Sequence, residues 1–313
     1  MSSKKSEARV AGSGPAAQST DGNGEGARRP VSIRFVDIGK QRLRVAVWPG
    51  RRGGVPLLLF NGIGASLEML MPLADNLGDI ETITFDLPGV GESPAPLLPY
   101  RLCSMARLAS RLLDVLGVDR VDVLGVSWGG TLAQQFALQH PKRCRRLVLA
   151  ATAQGILMVP GRPSVLRHFF TPRRHNDPEH RRRIGGLIYG GQARSDPAFI
   201  QSFEQYVKPA SRYAYLLQQL AIAGWTSLPW LPLLRQPVLI MAGKDDPVIP
   251  PINARLMATL IPKSRLHLFD DGHLFILSQA AETARVLREF LCADDSRARA
   301  RVSTSKVAAS GRT

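Results

Sequence analysis

Residues 121–130 read Val-Asp-Val-Leu-Gly-Val-Ser-Trp-Gly-Gly (VDVLGVSWGG), and the fold turns on how this stretch is read. Val121–Leu124 is a short, mostly apolar strand, and Gly125-Val126-Ser127-Trp128-Gly129 spells G-x-S-x-G. An apolar run of helical character follows from Thr131 to His140. A serine on a sharp strand-to-helix turn needs small neighbours, because a Cβ on either flanking glycine would crowd the strand against the helix. Such a turn lifts the Ser127 hydroxyl above the strand ends. It also leaves the Trp128 N–H at a helix N-terminus, aimed where an oxyanion would develop.

Working outward, strands alternate with helices. Ile33–Asp37 and Leu43–Trp48 suit two antiparallel strands with Gly39 between them. Val55–Phe60 is a continuous apolar run, as in a buried parallel strand, and ends in Asn61-Gly62-Ile63-Gly64. Leu67–Leu77 has helical spacing, Ile80–Asp86 is the next strand, and Leu102–Leu116 is an amphipathic helix stopped by Gly117. After Arg146–Ala150 the rhythm breaks. Residues 154–232 contain no clear strand and are too long for a loop, so a helical insertion is expected there. Rhythm returns with Pro237–Ala242, Ile252–Leu260, Arg265–Phe269 and Thr283–Leu291. The pattern predicts an α/β fold, a mostly parallel central sheet flanked by helices, with an inserted helical cap. The expected division is a disordered arm over 1–30, core over 31–153, cap over 154–232, core again over 233–292, and a disordered basic tail over 293–313.

Composition narrows the function. The 313 residues are 44% hydrophobic, enough for a sizeable core, and no apolar run reaches membrane-spanning length. The N-terminus lacks the apolar region of a secretory signal. Three distant cysteines give neither a disulfide framework nor a metal pattern and fit a reducing, cytoplasmic setting. The net charge is +16, concentrated in Ser296–Thr313 and in Arg162–Arg183. No nucleic-acid motif accompanies it and aromatic residues are only 6%, so stacking platforms are scarce and a nucleic-acid partner is not expected. Gly62-x-Gly64 and Gly89-x-Gly91 lack the third glycine of a dinucleotide fingerprint, and no phosphate-binding P-loop is present.

A serine nucleophile requires a base and an orienting acid. Of six histidines, only His267 and His273 lie beyond the candidate acids Asp245 and Asp246. His267 sits inside a strand; His273 follows Asp270-Asp271-Gly272 just past a strand end, where a loop can reach over Ser127. His273 is therefore the expected base. Asp246, set deeper in its turn and held by Pro247, is the expected acid, ahead of Asp245. Asp270 and Asp271 stand too close in sequence to His273. The second oxyanion donor is expected from the loop after Phe60, at the Ile63 N–H.

With these residues placed, the chain resembles the α/β-hydrolase superfamily from about residue 31 to 292. The segments FNGIGASLE, FDLPGVGES, GVSWGGTLAQQFA, LVLAATAQGILMVPG, IYGG, GWTS, AGKDDPVIP and DDGHLF together resemble the intracellular depolymerases of medium-chain-length poly(3-hydroxyalkanoate). The resemblance implies Ser127 as nucleophile, Asp246 as acid and His273 as base, with no cofactor or metal. It also implies a polyester substrate met at the surface of cytoplasmic granules. Asn61 stands where many superfamily members have histidine, and its side chain is a candidate substrate contact. In the cap, Phe169, Phe170, Trp225 and Trp230 are expected to hold an aliphatic chain, with surface arginines over 173–183 adding a salt-screened attraction. A soluble carboxylesterase or carbon–carbon bond hydrolase of the same fold is the alternative, and a non-catalytic granule-binding protein is the alternative from another class. Epoxide hydrolases and haloalkane dehalogenases carry aspartate where this chain has Ser127, and a polyester synthase would carry cysteine.

Overall fold

Leu57–Phe60, Thr82–Phe85, Val121–Val126 and Val238–Gly243 are buried along their whole length. Strands with no exposed face belong inside a sheet covered on both sides. In the computed structural model, which describes residues 29–293, they form its interior. The eight strands are β1 (Ser32–Ile38), β2 (Gln41–Trp48), β3 (Leu57–Phe60), β4 (Thr82–Phe85), β5 (Val121–Val126), β6 (Cys144–Ala150), β7 (Val238–Gly243) and β8 (Ser264–Phe269). Their spatial order is β1-β2-β4-β3-β5-β6-β7-β8. β1 and β2 form an antiparallel hairpin through Gly39, β2 pairs antiparallel with β4, and every other pairing is parallel.

Alternation along each strand builds two cores. Leu58, Phe60, Val123, Leu147, Leu149 and Ile240 point to one face, where the helices Leu102–Val115 and Trp128–Gln139 pack. Leu57, Leu59, Leu124, Val148, Leu239 and Met241 point to the other, against Leu73, Leu77 and the helix Ala280–Leu291. Gly117, at φ +70°, ends the first of these helices. The turn closes with the Val118 N–H donating to the Leu113 carbonyl at 2.9 Å. The helix expected over Leu67–Leu77 is instead a 3-10 turn, Leu67–Leu70, followed by a short α-helix, Met71–Asp75. Pro72 has no N–H to return to Glu68, so the helical ladder restarts there.

After β6 the chain leaves the sheet. It forms the helices Pro178–Tyr189 and Arg212–Ile222, several shorter turns, and a 3-10 segment Leu228–Leu233. An isolated antiparallel bridge between Gly155 and Thr226 brings the two ends of this segment together. Ile184, Ile188, Phe199, Ile200 and Phe203 form a small apolar cluster there that also takes in Val248 from the turn after β7.

Of the arm expected over 1–30, only Arg29 and Pro30 are described. Arg29 is anchored, donating to the carbonyls of Ala74, Pro49 and Ile80 at 2.7–3.0 Å. The rest of that arm, and all of the expected tail except Ala293, lie outside the described residues. Cys103, Cys144 and Cys292 are free thiols. Among the described residues no helix is long and apolar enough to cross a membrane.

Candidate active site

Ser127 stands between the end of β5 and the helix Trp128–Gln139 with φ 53° and ψ −119°, a left-handed backbone that a non-glycine residue seldom adopts. The surroundings hold it there. Its N–H donates to the Ala150 carbonyl at 2.9 Å, and its own carbonyl accepts from the Thr152 hydroxyl at 2.7 Å. The flanking glycines make the turn possible. A Cβ on Gly125 would lie 2.2 Å from the Gly129 carbonyl oxygen, and one on Gly129 would lie 2.2 Å from that of Phe60.

His273 arrives on the loop after β8, its N–H donating to the Tyr189 carbonyl at 2.7 Å. Its Nε2 is 3.3 Å from Ser127 Oγ and its Nδ1 is 2.7 Å from Asp246 Oδ2. Asp246, on the turn after β7, turns its other oxygen to the N–H groups of Val248 and Ile249, both at 2.9 Å. The Asp246 and His273 side chains are buried. The other three candidate acids face elsewhere. Asp245 is exposed and accepts from Arg194 and from the Gly191 N–H. Asp270 accepts from Lys244, and Asp271 from Ser278, Gly272 and Gln192. His267 lies within β8, edge-on to Phe269.

The loop after β3 runs beside Ser127, such that a Cβ on Gly62 would sit 3.6 Å from Ser127 Cβ. Asn61 shapes this loop with both side-chain polar atoms. Oδ1 accepts the Gly62 N–H at 2.8 Å and Nδ2 donates to the Ser66 carbonyl at 2.6 Å. Asn61 lines the cavity, and one of its two Nδ2 hydrogens is taken by the Ser66 carbonyl. The Ile63 N–H donates to no group among the described residues. Trp128 is the first residue of its helix, so its N–H has no partner from within the helix.

One cavity contains Ser127, His273, Asn61 and Ile63, walled by Met69, Leu274, Ile276 and Leu277 from the core and by Phe169, Arg174, His175 and Tyr189 from the inserted segment. Of the four aromatics expected to hold an aliphatic chain, Phe169 lines this cavity. Phe170 is 70% exposed and Trp230 is 53% exposed. Trp225 packs half-buried against the core, its Nε1 donating to Gln135 at 2.9 Å. The expectation of surface arginines over 173–183 also needs correction, because Arg174 and Arg181 are buried. The Arg174 guanidinium lies 4.3 Å over the Phe169 ring and donates to the Ile63 carbonyl at 3.1 Å and to the Tyr215 hydroxyl. Burial, and then the charge on Arg174, hold His175 well below the ordinary histidine value, so it is neutral at pH 7. Arg174, His175 and Tyr189 were not legible as site residues. Arg174 and Arg173 are adjacent in one arginine-rich run, and no period in it separates the buried one from the exposed one.

A model of the alpha/beta hydrolase fold family matches residues 55–280. A poly(3-hydroxyalkanoate) depolymerase of Ectopseudomonas oleovorans is 48% identical over 271 residues, covering 86% of this chain and 96% of that protein. A 2-hydroxy-6-oxo-2,4-heptadienoate hydrolase of Pseudomonas putida is 29% identical over 265 residues, covering 77% of this chain and 91% of that protein. Among solved structures, the enol-lactonase of Burkholderia xenovorans LB400 superposes with a TM-score of 0.70 at 22% identity, over 83% of this chain and 100% of the other, a likeness of fold. The glycine-flanked Ser127 turn, the parallel sheet beneath it and these matches agree: the chain belongs to the alpha/beta hydrolase fold family and, within it, to the family of that poly(3-hydroxyalkanoate) depolymerase.

Proposed function

We propose that this protein is a serine hydrolase that cleaves the ester bonds of poly(3-hydroxyalkanoate). The observation that carries the reaction type is the hydrogen-bonded series Ser127 Oγ, His273 and Asp246 in a buried setting. The polyester substrate rests on the 48% identity to the depolymerase. Ser127 Oγ attacks the ester carbonyl while His273 Nε2 takes its proton. Asp246 fixes the imidazole tautomer and stabilises the imidazolium. The N–H groups of Ile63 and Trp128 receive the oxyanion. His273 returns the proton to the departing 3-hydroxyl, leaving an acyl group on Ser127. Water, deprotonated by His273, then attacks the acyl carbonyl, releasing a carboxylic acid and restoring the serine.

In this reading residues 154–232 form a cap over a core made of 31–153 and 233–292, and the substrate enters beneath the cap. The protein meets its polymer at the surface of intracellular granules. The experiment is incubation of the purified full chain with medium-chain and short-chain polyester granules, measuring released 3-hydroxy acids. Release from the medium-chain granules is expected. Hydrolysis of soluble esters with neither granule attacked would instead indicate a soluble carboxylesterase of the same fold. Binding to granules with no ester cleaved would indicate the non-catalytic alternative.

A further inference from the structure

Arg174 is charged, and 5% exposed. A guanidinium so far from water ordinarily has a carboxylate beside it, since leaving the charge uncompensated in a low-dielectric site is costly. Arg174 has none: no carboxylate of the described residues lies within ion-pair distance of it. Its hydrogen-bonding partners are neutral, the Ile63 carbonyl and the Tyr215 hydroxyl, with the Tyr189 hydroxyl also facing it. Burial pushes the Tyr189 phenol above its ordinary value, so it supplies no negative charge at physiological pH. Two other arginines among the described residues, one buried and one half-buried, do have a carboxylate beside them. Arg181 pairs with Glu204 at 3.5 Å. Arg44, 11% exposed at its side chain, pairs with Glu68 at 2.8 Å.

The place matters as much as the charge. Arg174 lines the cavity that contains Ser127 and His273, and no aspartate or glutamate lines that cavity. Next to it, His175 Nε2 is buried and has no hydrogen-bond partner. The ring packs closely on Gly64, where a Cβ would lie 3.0 Å from that nitrogen. A full positive charge and an orphaned ring nitrogen thus meet beside the loop that carries Ile63, within a wall that is otherwise mostly apolar.

We propose that Arg174, assisted by His175, is a subsite for a substrate carboxylate. The inference rests on the ester-hydrolase reading above and narrows it. A poly(3-hydroxyalkanoate) chain has one free carboxylate, at one end. In the terminal unit only the Cα and Cβ carbons separate that carboxylate from the ester oxygen of the last linkage. An enzyme that holds the carboxylate next to its oxyanion loop cuts that last ester. Ser127 keeps the rest of the chain as the acyl group, and the terminal unit departs as a free 3-hydroxy acid. Carboxylate-ended oligomers, down to the dimer, are then the preferred substrates over internal linkages.

The experiment compares the linear dimer of 3-hydroxyoctanoic acid, as free acid and as methyl ester, on the full-length protein and on Arg174→Met and Arg174→Lys. A neutral p-nitrophenyl alkanoate reports the state of the catalytic serine in each protein. The wild type is expected to hydrolyse the free acid with kcat/KM about 10- to 100-fold above the methyl ester, the range of a charge-assisted hydrogen bond. Arg174→Met is expected to abolish that preference, and Arg174→Lys to restore part of it. Because Arg174 also touches the Ile63 carbonyl, all three substrates can slow together in the variants; the ratio of acid to ester is the readout. Equal or better hydrolysis of the methyl ester by the wild type overturns the proposal without needing a variant. An unchanged ratio in Arg174→Met does so too. In both cases hydrolysis of the neutral ester and of granules leaves the underlying function standing. A well-folded wild type that cleaves no ester at all overturns both.

Discussion

The side-chain carbonyl of Gln218 accepts the Gly64 N–H at 2.8 Å, fastening the helix Arg212–Ile222 to the loop after β3. The same residue's backbone carbonyl accepts Trp128 Nε1 at 2.9 Å. One fully buried residue of the inserted segment therefore holds both the loop that carries Ile63 and the indole of Trp128, the two residues whose N–H groups are proposed to receive the oxyanion. A buried amide pinned in this way fixes geometry at a site where small displacements are expensive in rate.

Gln218→Ala is accordingly expected to lower kcat on a soluble ester by about 10- to 100-fold, with KM changed much less. Steady-state kinetics on a variant with wild-type circular dichroism makes the test. A rise in KM with kcat unchanged would place Gln218 in substrate binding rather than in positioning.

Ser127→Ala is expected to remove ester hydrolysis, by on the order of 10⁶-fold in kcat, since among the described residues no other hydroxyl shares the His273 Nε2 contact. The change deletes one oxygen and relieves none of the backbone constraint, so the fold should persist. Near-normal turnover by a folded Ser127→Ala protein would falsify the mechanism.

What the sequence could disclose divides along physical lines. Strands covered on both faces announce themselves as unbroken apolar runs, which is why β3, β5 and β7 were legible to within a residue or two. The Ser127 turn was legible because two glycines are sterically obligatory there. The inserted segment was legible only as helical. Its helix starts did carry a signal, Asp177-Pro178 and Asp196-Pro197. In both, the aspartate caps the helix that the proline begins, accepting from His180 at 2.8 Å and from Ala198 at 2.9 Å. Which side chains of that segment face the cavity was not legible. Burial of Arg174 beside exposed Arg173 is decided by how the segment docks on the sheet, a tertiary fact with no local period. The same holds for Phe169, which lines the cavity, and Phe170, which does not.

The two aspartates of the turn after β7 should differ sharply. Asp246→Asn leaves an amide facing His273 Nδ1 and no longer favours the productive tautomer. A loss of about 10⁴-fold in kcat is expected. Asp245→Asn breaks an exposed contact with Arg194 and weakens the bond from the Gly191 N–H, so activity should stay within a few-fold of wild type. Parallel kinetics of the two variants decides the matter, and a more severe defect in Asp245→Asn would reverse the assignment.

The last expectation concerns pH and stability. His175 is held well below its ordinary value, first by burial and then by the Arg174 charge. His140, at the end of the helix Trp128–Gln139, is lowered for the same first reason, with Arg143 and Arg107 adding to it. In the unfolded chain both titrate near 6.5. Above that pH neither state binds the proton and these residues contribute no slope. As pH falls through 6.5 the unfolded chain takes up protons that the folded protein still refuses, so folding stability drops. The drop continues until the lower folded values are reached. Each such proton contributes at most about 1.4 kcal/mol per pH unit. Asp86, raised to about 6 by burial, takes up its proton in the folded state first and opposes this fall, so the readout is the difference between proteins: in urea unfolding between pH 7.5 and 5, His175→Asn is expected to lose less stability with acidity than the wild type. A variant whose slope matches the wild type would mean that His175 is protonated in the folded state. Arg174 would then have a second positive charge beside it.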